Sequence, residues 1–237
     1  MLSESHRENL PSRIEQRIDA HLTLAERLRK HREEPAAGPS PFVTIARQYG
    51  CEAMALAEFL SNQLPGGPWP IYNRVILEKM ADETPVTEKL FHALDMRARS
   101  GIEEFFEHLI GRSPTDLRVL HQLVRTERAL ASLGHCIIVG RGASVLTSGL
   151  PGGVHIRLIA PKSWREKNLM ERFGWSKERT QEVLYEEEHG RSNFFRKYLN
   201  QDPNNPELYD LMLNSAQLTR AEEAAAVLAL YRARFSH

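Results

Sequence analysis

The sequence predicts an α/β protein, with about five strands in a parallel sheet and helices on both faces. Two observations carry this expectation. Short apolar or alternating runs stand at residues 42–46, 69–72, 135–139, 154–160 and 208–213. Between them lie stretches whose apolar residues recur at helical spacing. Strands alternating with helices build a sheet covered on both sides. A chain of 237 residues with 41% hydrophobic and 26% charged content is large enough to bury a full core.

Taken in order, residues 1–11 are polar. Ser12-Arg-Ile-Glu15 has the form of a capping box, and Ile14, Ile18, Leu22 and Leu28 mark one stripe of a helix running to about Arg32. Residues 33–41 are rich in proline and read as a linker. Residues 1–41 are thus expected as an N-terminal helix and linker, and 42–237 as the main domain. The helix packs either on its own domain or on a second copy of the chain, which would make a homo-oligomer through that helix; a stripe alone does not say which.

Phe42-Val-Thr-Ile-Ala46 reads as a buried strand, broken at Arg47-Gln-Tyr-Gly50. Helical spacing resumes with Leu56, Phe59 and Leu60. Strand, glycine turn and helix form the frame of a phosphate site, because the turn aims N–H groups and a positive helix end at an anion. The nucleotide-loop pattern G-x-x-x-x-G-K-[ST] is nevertheless missing: there is one glycine, no lysine, and Glu52 where positive charge is wanted. A second strand precedes a helix opening at Asn73-Arg74. Helical pattern fills residues 85–134, with Ser113-Pro-Thr-Asp116 as a helix start. The third strand ends at Gly140-Arg141-Gly142. The alternating run 154–160 stops at Pro161 and leads into a charged helical hairpin with Gly174 as C-cap. A last strand precedes an alanine- and leucine-rich helix.

Composition narrows the function classes. Lys+Arg and Asp+Glu are both 31, so no global field attracts nucleic acid or an anionic membrane. Two cysteines, Cys51 and Cys136, make no disulfide framework, and with no secretory signal they point to the cytoplasm. No apolar run reaches the length of a membrane helix, and the histidine and cysteine spacing suggests no zinc site.

Ligands of an open parallel sheet bind at the carboxyl ends of its strands. Arg47, Tyr49, Gly50, Cys51, Asn73, Arg74, Gly140 and Arg141 fall at such ends, and Arg141 is the leading single candidate. An arginine fork suits phosphate; the alternative is an arginine holding a neighbouring carboxylate or helix end. Arg191, Arg196 and Lys197 lie at helical spacing, with Arg191 and Arg196 close on one face. They would serve a transferring phosphoryl group or, more simply, pair with Glu187 and Glu188. Cys51 follows Gly50 but has no base near it in sequence, so it reads as structural.

Four pieces together resemble the cytidylate kinase-like family, a branch of the nucleoside monophosphate kinases: Ile45-Ala-Arg-Gln-Tyr-Gly50, Ile71-Tyr-Asn-Arg-Val-Ile76, Cys136-Ile-Ile-Val-Gly-Arg-Gly142 and Leu208-Tyr-Asp-Leu-Met-Leu-Asn214. The resemblance implies a three-layer P-loop kinase fold, with a monophosphate-binding insert at about 73–133 and a lid at about 162–199. It also implies phosphoryl transfer from ATP, with Mg2+, to CMP or a related acceptor. Gly50 would then lie by the donor phosphates, Arg141 by the acceptor, and Arg191 with Arg196 by the transferring group. Gly50-Cys-Glu-Ala-Met54 departs from the family's G-S-G-G-R, and Asn73 replaces the usual acid. These departures motivate the alternative of a catalytically degenerate relative acting as a nucleotide sensor or interaction module.

Overall fold

The computed structural model describes residues 10–30, 39–82, 84–109, 117–140 and 142–235. Helix α1 (Leu10–Lys30) precedes β1 (Phe42–Arg47) and α2 (Ala53–Ser61). Strand β2 (Ile71–Asn73) leads into α3 (Arg74–Asp82), α4 (Thr84–His92), α5 (Met96–Leu109) and α6 (Leu117–Leu133). Strand β3 (Ile137–Val139), the short α7 (Ala143–Leu146) and β4 (Gly153–Ile159) follow. A hairpin of α8 (Lys162–Phe173) and α9 (Lys177–Phe194) continues into a π-helical turn, Phe195–Leu199. A 3-10 turn (Pro206–Leu208), β5 (Leu211–Asn214) and α10 (Arg220–Phe235) complete the chain.

The five strands pair in parallel in the order β2-β3-β1-β4-β5. Both faces are covered, as the near-continuous apolar strands require. One face sets Val43, Ile45, Val139, Ile156 and Leu158 against Leu56 and Leu60 of α2 and Val227 and Leu228 of α10. The other sets Phe42, Tyr72 and Ile138 against helices α3 to α6, with Leu77, Leu90, Ile102, Leu123 and Leu130. Truncating such a residue to alanine typically costs about 2–5 kcal/mol. Helix α1 joins this second core through Ile14 and Ile18. His21 is also buried there, within hydrogen-bond distance of Tyr72 Oη at 3.0 Å and of the Gly134 carbonyl at 2.6 Å. The apolar stripe of α1 is therefore covered by its own domain, and Leu22 and Leu28 are only partly buried.

Several sequence expectations need correction. Helix α1 already runs at Leu10, so Ser12 lies inside it and does not cap it. Strand β2 begins at Ile71, not Trp69. Trp69 is buried outside the ladder, its ring N–H donating to the Pro65 carbonyl at 3.0 Å, and Pro70 has no N–H to give. His135 turns the chain with φ +52, so β3 starts at Ile137. At β5, Pro206 starts a 3-10 turn and the strand moves to Leu211. Other signals hold. Gly174 ends α8 in the left-handed conformation, and the Ser176 side chain caps α9 by accepting from the Arg179 N–H. The 113–116 start signal and the centre of the 33–41 linker lie outside the described residues. No described helix is long and apolar enough to cross a membrane.

Candidate functional site

Strand β1 lies between β3 and β4, so the chain departs to either side of it, and the carboxyl ends of these strands open on one cleft. The cleft has a volume of about 340 Å³, at the small end of the range for ligand pockets. Its base comes from Arg47, Gln48 and Tyr49 after β1, Gly140 and Gly142 after β3, and Arg157 of β4. Arg74 enters from the start of α3, and Glu187, Glu188 and Arg191 enter from α9.

The turn after β1 is held on both sides. Gln48 donates its N–H to the Leu158 carbonyl at 3.0 Å, and its side-chain oxygen accepts from the Ala160 N–H at 2.9 Å. Arg47 lies directly against Gly140, whose φ is +92; a side chain there would occupy the place of the guanidinium. Arg191 crosses from α9 to donate to the Arg47 carbonyl at 2.9 Å, and its guanidinium lies 5.3 Å from the centre of the Tyr49 ring. It also pairs with Glu187 at 3.7 Å. Burial lowers the Arg191 pKa, opposed by Glu187. Burial raises that of Tyr49, as does Glu187. The α8–α9 hairpin is thereby attached to the strand ends by a cation that still faces the cleft.

Of the residues singled out in the sequence, Arg47, Tyr49, Arg74, Gly140 and Arg191 line this one cleft. Gly50, Cys51, Asn73 and Arg196 are not among the lining residues, and Arg141 lies outside the described residues. Asn73 caps α3, its Oδ1 accepting from the Ile76 N–H at 3.1 Å. Arg196 falls in the π-helical turn and is exposed, so it does not share the cleft-facing side of Arg191. Burial pushes the Cys51 thiol up to about 11, which suits a structural residue and not a nucleophile.

Gly50 faces α8. It has φ +91, and a Cβ built on it would lie 2.8 Å from Cβ of Arg165 and 3.1 Å from that residue's carbonyl oxygen. Asn168 donates to the Gly50 carbonyl at 2.8 Å, and Arg165 donates to the Tyr49 carbonyl at 3.0 Å. Arg165 is also bonded to Glu188. Glu52 turns away from the cleft and pairs with Arg172 at 3.5 Å and Arg220 at 3.6 Å. Within the turn, the Cys51 N–H is bonded to the Gln48 carbonyl and the Ala53 N–H to the Cys51 carbonyl.

The residues at this turn do not fit a magnesium-bound triphosphate. Mg2+ usually takes one or two carboxylates plus substrate phosphates. Here Glu52, Glu187 and Glu188 are each paired with arginine, which leaves Glu186 as the one cleft glutamate without an ion pair among the described residues, and helix α8 covers Gly50. Among the described residues, no group of three or more His, Cys, Asp or Glu side chains could hold a metal ion.

Sequence reasoning missed Arg157, Arg165 and Asn204. Arg157 occupies a polar position in the alternating run 154–160. In a parallel sheet covered on both faces that same position should have marked a buried polar site. Arg165 and Asn204 carry no local signal; one resembles any charged helix residue and the other any loop residue.

The family model described as the cytidylate kinase-like family matches residues 42–217. No curated protein matches the chain. Among solved structures, an uncharacterized protein from Eubacterium ventriosum ATCC 27560 has a TM-score of 0.66 at 16% identity, covering 82% of this chain and 99% of that one. TT1252 from Thermus thermophilus gives 0.41 at 16% identity, covering 81% and 98%. A dephospho-CoA kinase from Campylobacter jejuni gives 0.34 at 11% identity, covering 84% and 99%. The first likeness shows the fold alone, and the other two fall too low to add to it.

Proposed function

The chain belongs to the cytidylate kinase-like family, and from that premise we propose that its cleft binds the phosphate-bearing end of CMP or a related nucleoside monophosphate. The carrying observation is the convergence of Arg47, Arg74 and Arg191 on one cleft at the strand ends. Arginine forks suit phosphate oxygens, and the cleft volume suits a single small ligand. Within this reading the protein is kinase-like and the bound monophosphate would be the phosphoryl acceptor, although the turn as arranged here, with α8 on Gly50, does not fit a magnesium-bound triphosphate. Arg191, attached to both lid and strand end, would then stabilise negative charge beside the acceptor.

A second reading is a nucleotide sensor without turnover. The Glu52 pairs with Arg172 and Arg220, and the packing of Arg165 on Gly50, favour it. Calorimetry with CMP, dCMP and UMP, followed by a diphosphate-product assay with Mg2+ and ATP, separates the two. Binding with turnover supports the kinase, and binding alone supports the sensor. Arg191→Ala should weaken monophosphate binding at least about tenfold, the loss expected for a charge-assisted contact. A well-folded protein that binds no nucleotide overturns both readings.

A further inference from the structure

Arg157 stands in the wall of the cleft with no counter-ion among the described residues. It is 5% exposed. Its Nη1 donates to Tyr209 Oη at 3.2 Å and its Nη2 to Asn204 Oδ1 at 2.8 Å. Its Nε is buried and makes no hydrogen bond among the described residues. Both partners are neutral, and no carboxylate among the described residues lies within ion-pair distance. Of the three glutamates that line the cleft, Glu187 pairs with Arg191 and Glu188 with Arg165, and Glu186 makes no ion pair with Arg157.

Burying a guanidinium without an anion is costly. Arg165 is equally buried and has Glu188 to offset its charge. Arg128 is also buried, but it donates to two main-chain carbonyls, of Leu146 and Ser148, and does not line the cleft. Arg157 alone of these three combines burial, neutral partners and a place in the cleft wall. A guanidinium presents five N–H donors in a planar fork that matches phosphate, and here two are used. Tyr209 also donates to the Pro203 carbonyl at 2.9 Å, and the Asn204 amide donates to Asp202 Oδ1 at 3.1 Å. The partners that orient the fork are therefore themselves fixed.

We propose that Arg157 is an anion seat in the cleft wall, where it receives the phosphate monoester of the bound ligand. The identity of that ligand as a nucleotide rests on the function proposed above; the seat itself does not. The ligand class that follows is a phosphorylated nucleoside over the free nucleoside, because only the phosphate supplies the missing counter-charge.

Thermal shift and calorimetry with inorganic phosphate test the seat on the full chain, using wild type, Arg157→Met and Arg157→Lys. Phosphate should raise the wild-type Tm saturably and leave Arg157→Met unmoved. Unliganded Arg157→Met should melt at or above wild type, because a buried unpaired charge is gone; exposed Asn204 can turn to water and Tyr209 keeps its bond to Pro203. Arg157→Lys keeps the charge but loses the fork, and should bind phosphate at least tenfold more weakly. No phosphate effect on wild type, an equal effect on wild type and Arg157→Met, or a lower Tm for unliganded Arg157→Met would each overturn the proposal. If Arg157→Met does not fold, undiminished phosphate binding by Arg157→Lys overturns it. A wild type that binds phosphate through Arg157 but binds neither CMP nor UMP keeps the seat and rejects the nucleotide reading. An undiminished preference for CMP over cytidine in Arg157→Met rejects the seat while keeping that reading.

Discussion

The α-carbon of Gly50 packs directly on Arg165, so that any side chain at position 50 would meet the main chain of α8. The φ of +91 at Gly50 adds backbone strain for every other residue. Gly50→Ala should therefore destabilise the fold by roughly 2 kcal/mol, combining the left-handed penalty with the displaced helix. Urea unfolding measures this directly, and an unchanged midpoint would show that α8 is not seated on the turn.

Glu52 bears on whether the turn is closed by charge. Its two pairs are partly exposed, so Glu52→Gln should change stability by less than about 1 kcal/mol. Removing the carboxylate also removes a negative charge beside the turn and leaves Arg172 without this partner. Affinity for ATP should then rise several-fold, read by calorimetry. Weaker ATP binding in the variant would mean that the Glu52 pairs shape the turn for a donor and do not obstruct it.

Glu127 of α6 is fully enclosed, and neither carboxyl oxygen has a hydrogen-bond partner among the described residues. Burial raises its pKa well above the ordinary 4.5. The unfolded chain releases the proton near that ordinary value while the fold retains it. Stability contributed by Glu127 is thus present at low pH and lost as pH rises through the window above it, by about 1.4 kcal/mol per pH unit within the window. Glu127→Gln should match wild type near pH 4 and exceed it increasingly toward neutral pH. Parallel unfolding curves at all pH values would refute this.

His21 acts with the opposite sign. Burial lowers its pKa below 6.5, only partly opposed by its bond to the Gly134 carbonyl. The unfolded chain takes up a proton near 6.5 that the fold refuses. The stability is therefore full above that value and lost as pH falls below it. Replacing His21 by asparagine should lower stability at pH 7.5 and flatten its decline between pH 7 and 5. The decline should persist in part, because burial also lowers the His155 pKa. An unaltered slope would count against His21 as a titrating group.

Much of the fold was legible because it is written locally. The apolar runs at 42–46, 135–139 and 154–160 became β1, β3 and β4 with shifts of a residue or two, and the glycine and serine signals of the lid hairpin became caps. Asn73, by contrast, was placed with the ligand residues, whereas its carbonyl oxygen caps α3. Side-chain hydrogen bonding to the next turn and to a ligand use the same residue types at the same strand end, so sequence alone does not separate them.

The sequence by itself determined that five short apolar runs would be strands between helices, and that a glycine turn and several arginines would stand at strand ends. Period, caps and breakers act within a few residues, and a chain reads them without its neighbours. Tertiary structure decided which arginines meet: Arg191 reaches the carbonyl of Arg47 from 144 residues away, and Arg157 is buried with no anion beside it among the described residues because the sheet is covered on its face. It also decided that α1 packs inward and that α8 lies on Gly50. Those outcomes depend on strand order and on which helix covers which face, and no local periodicity encodes them.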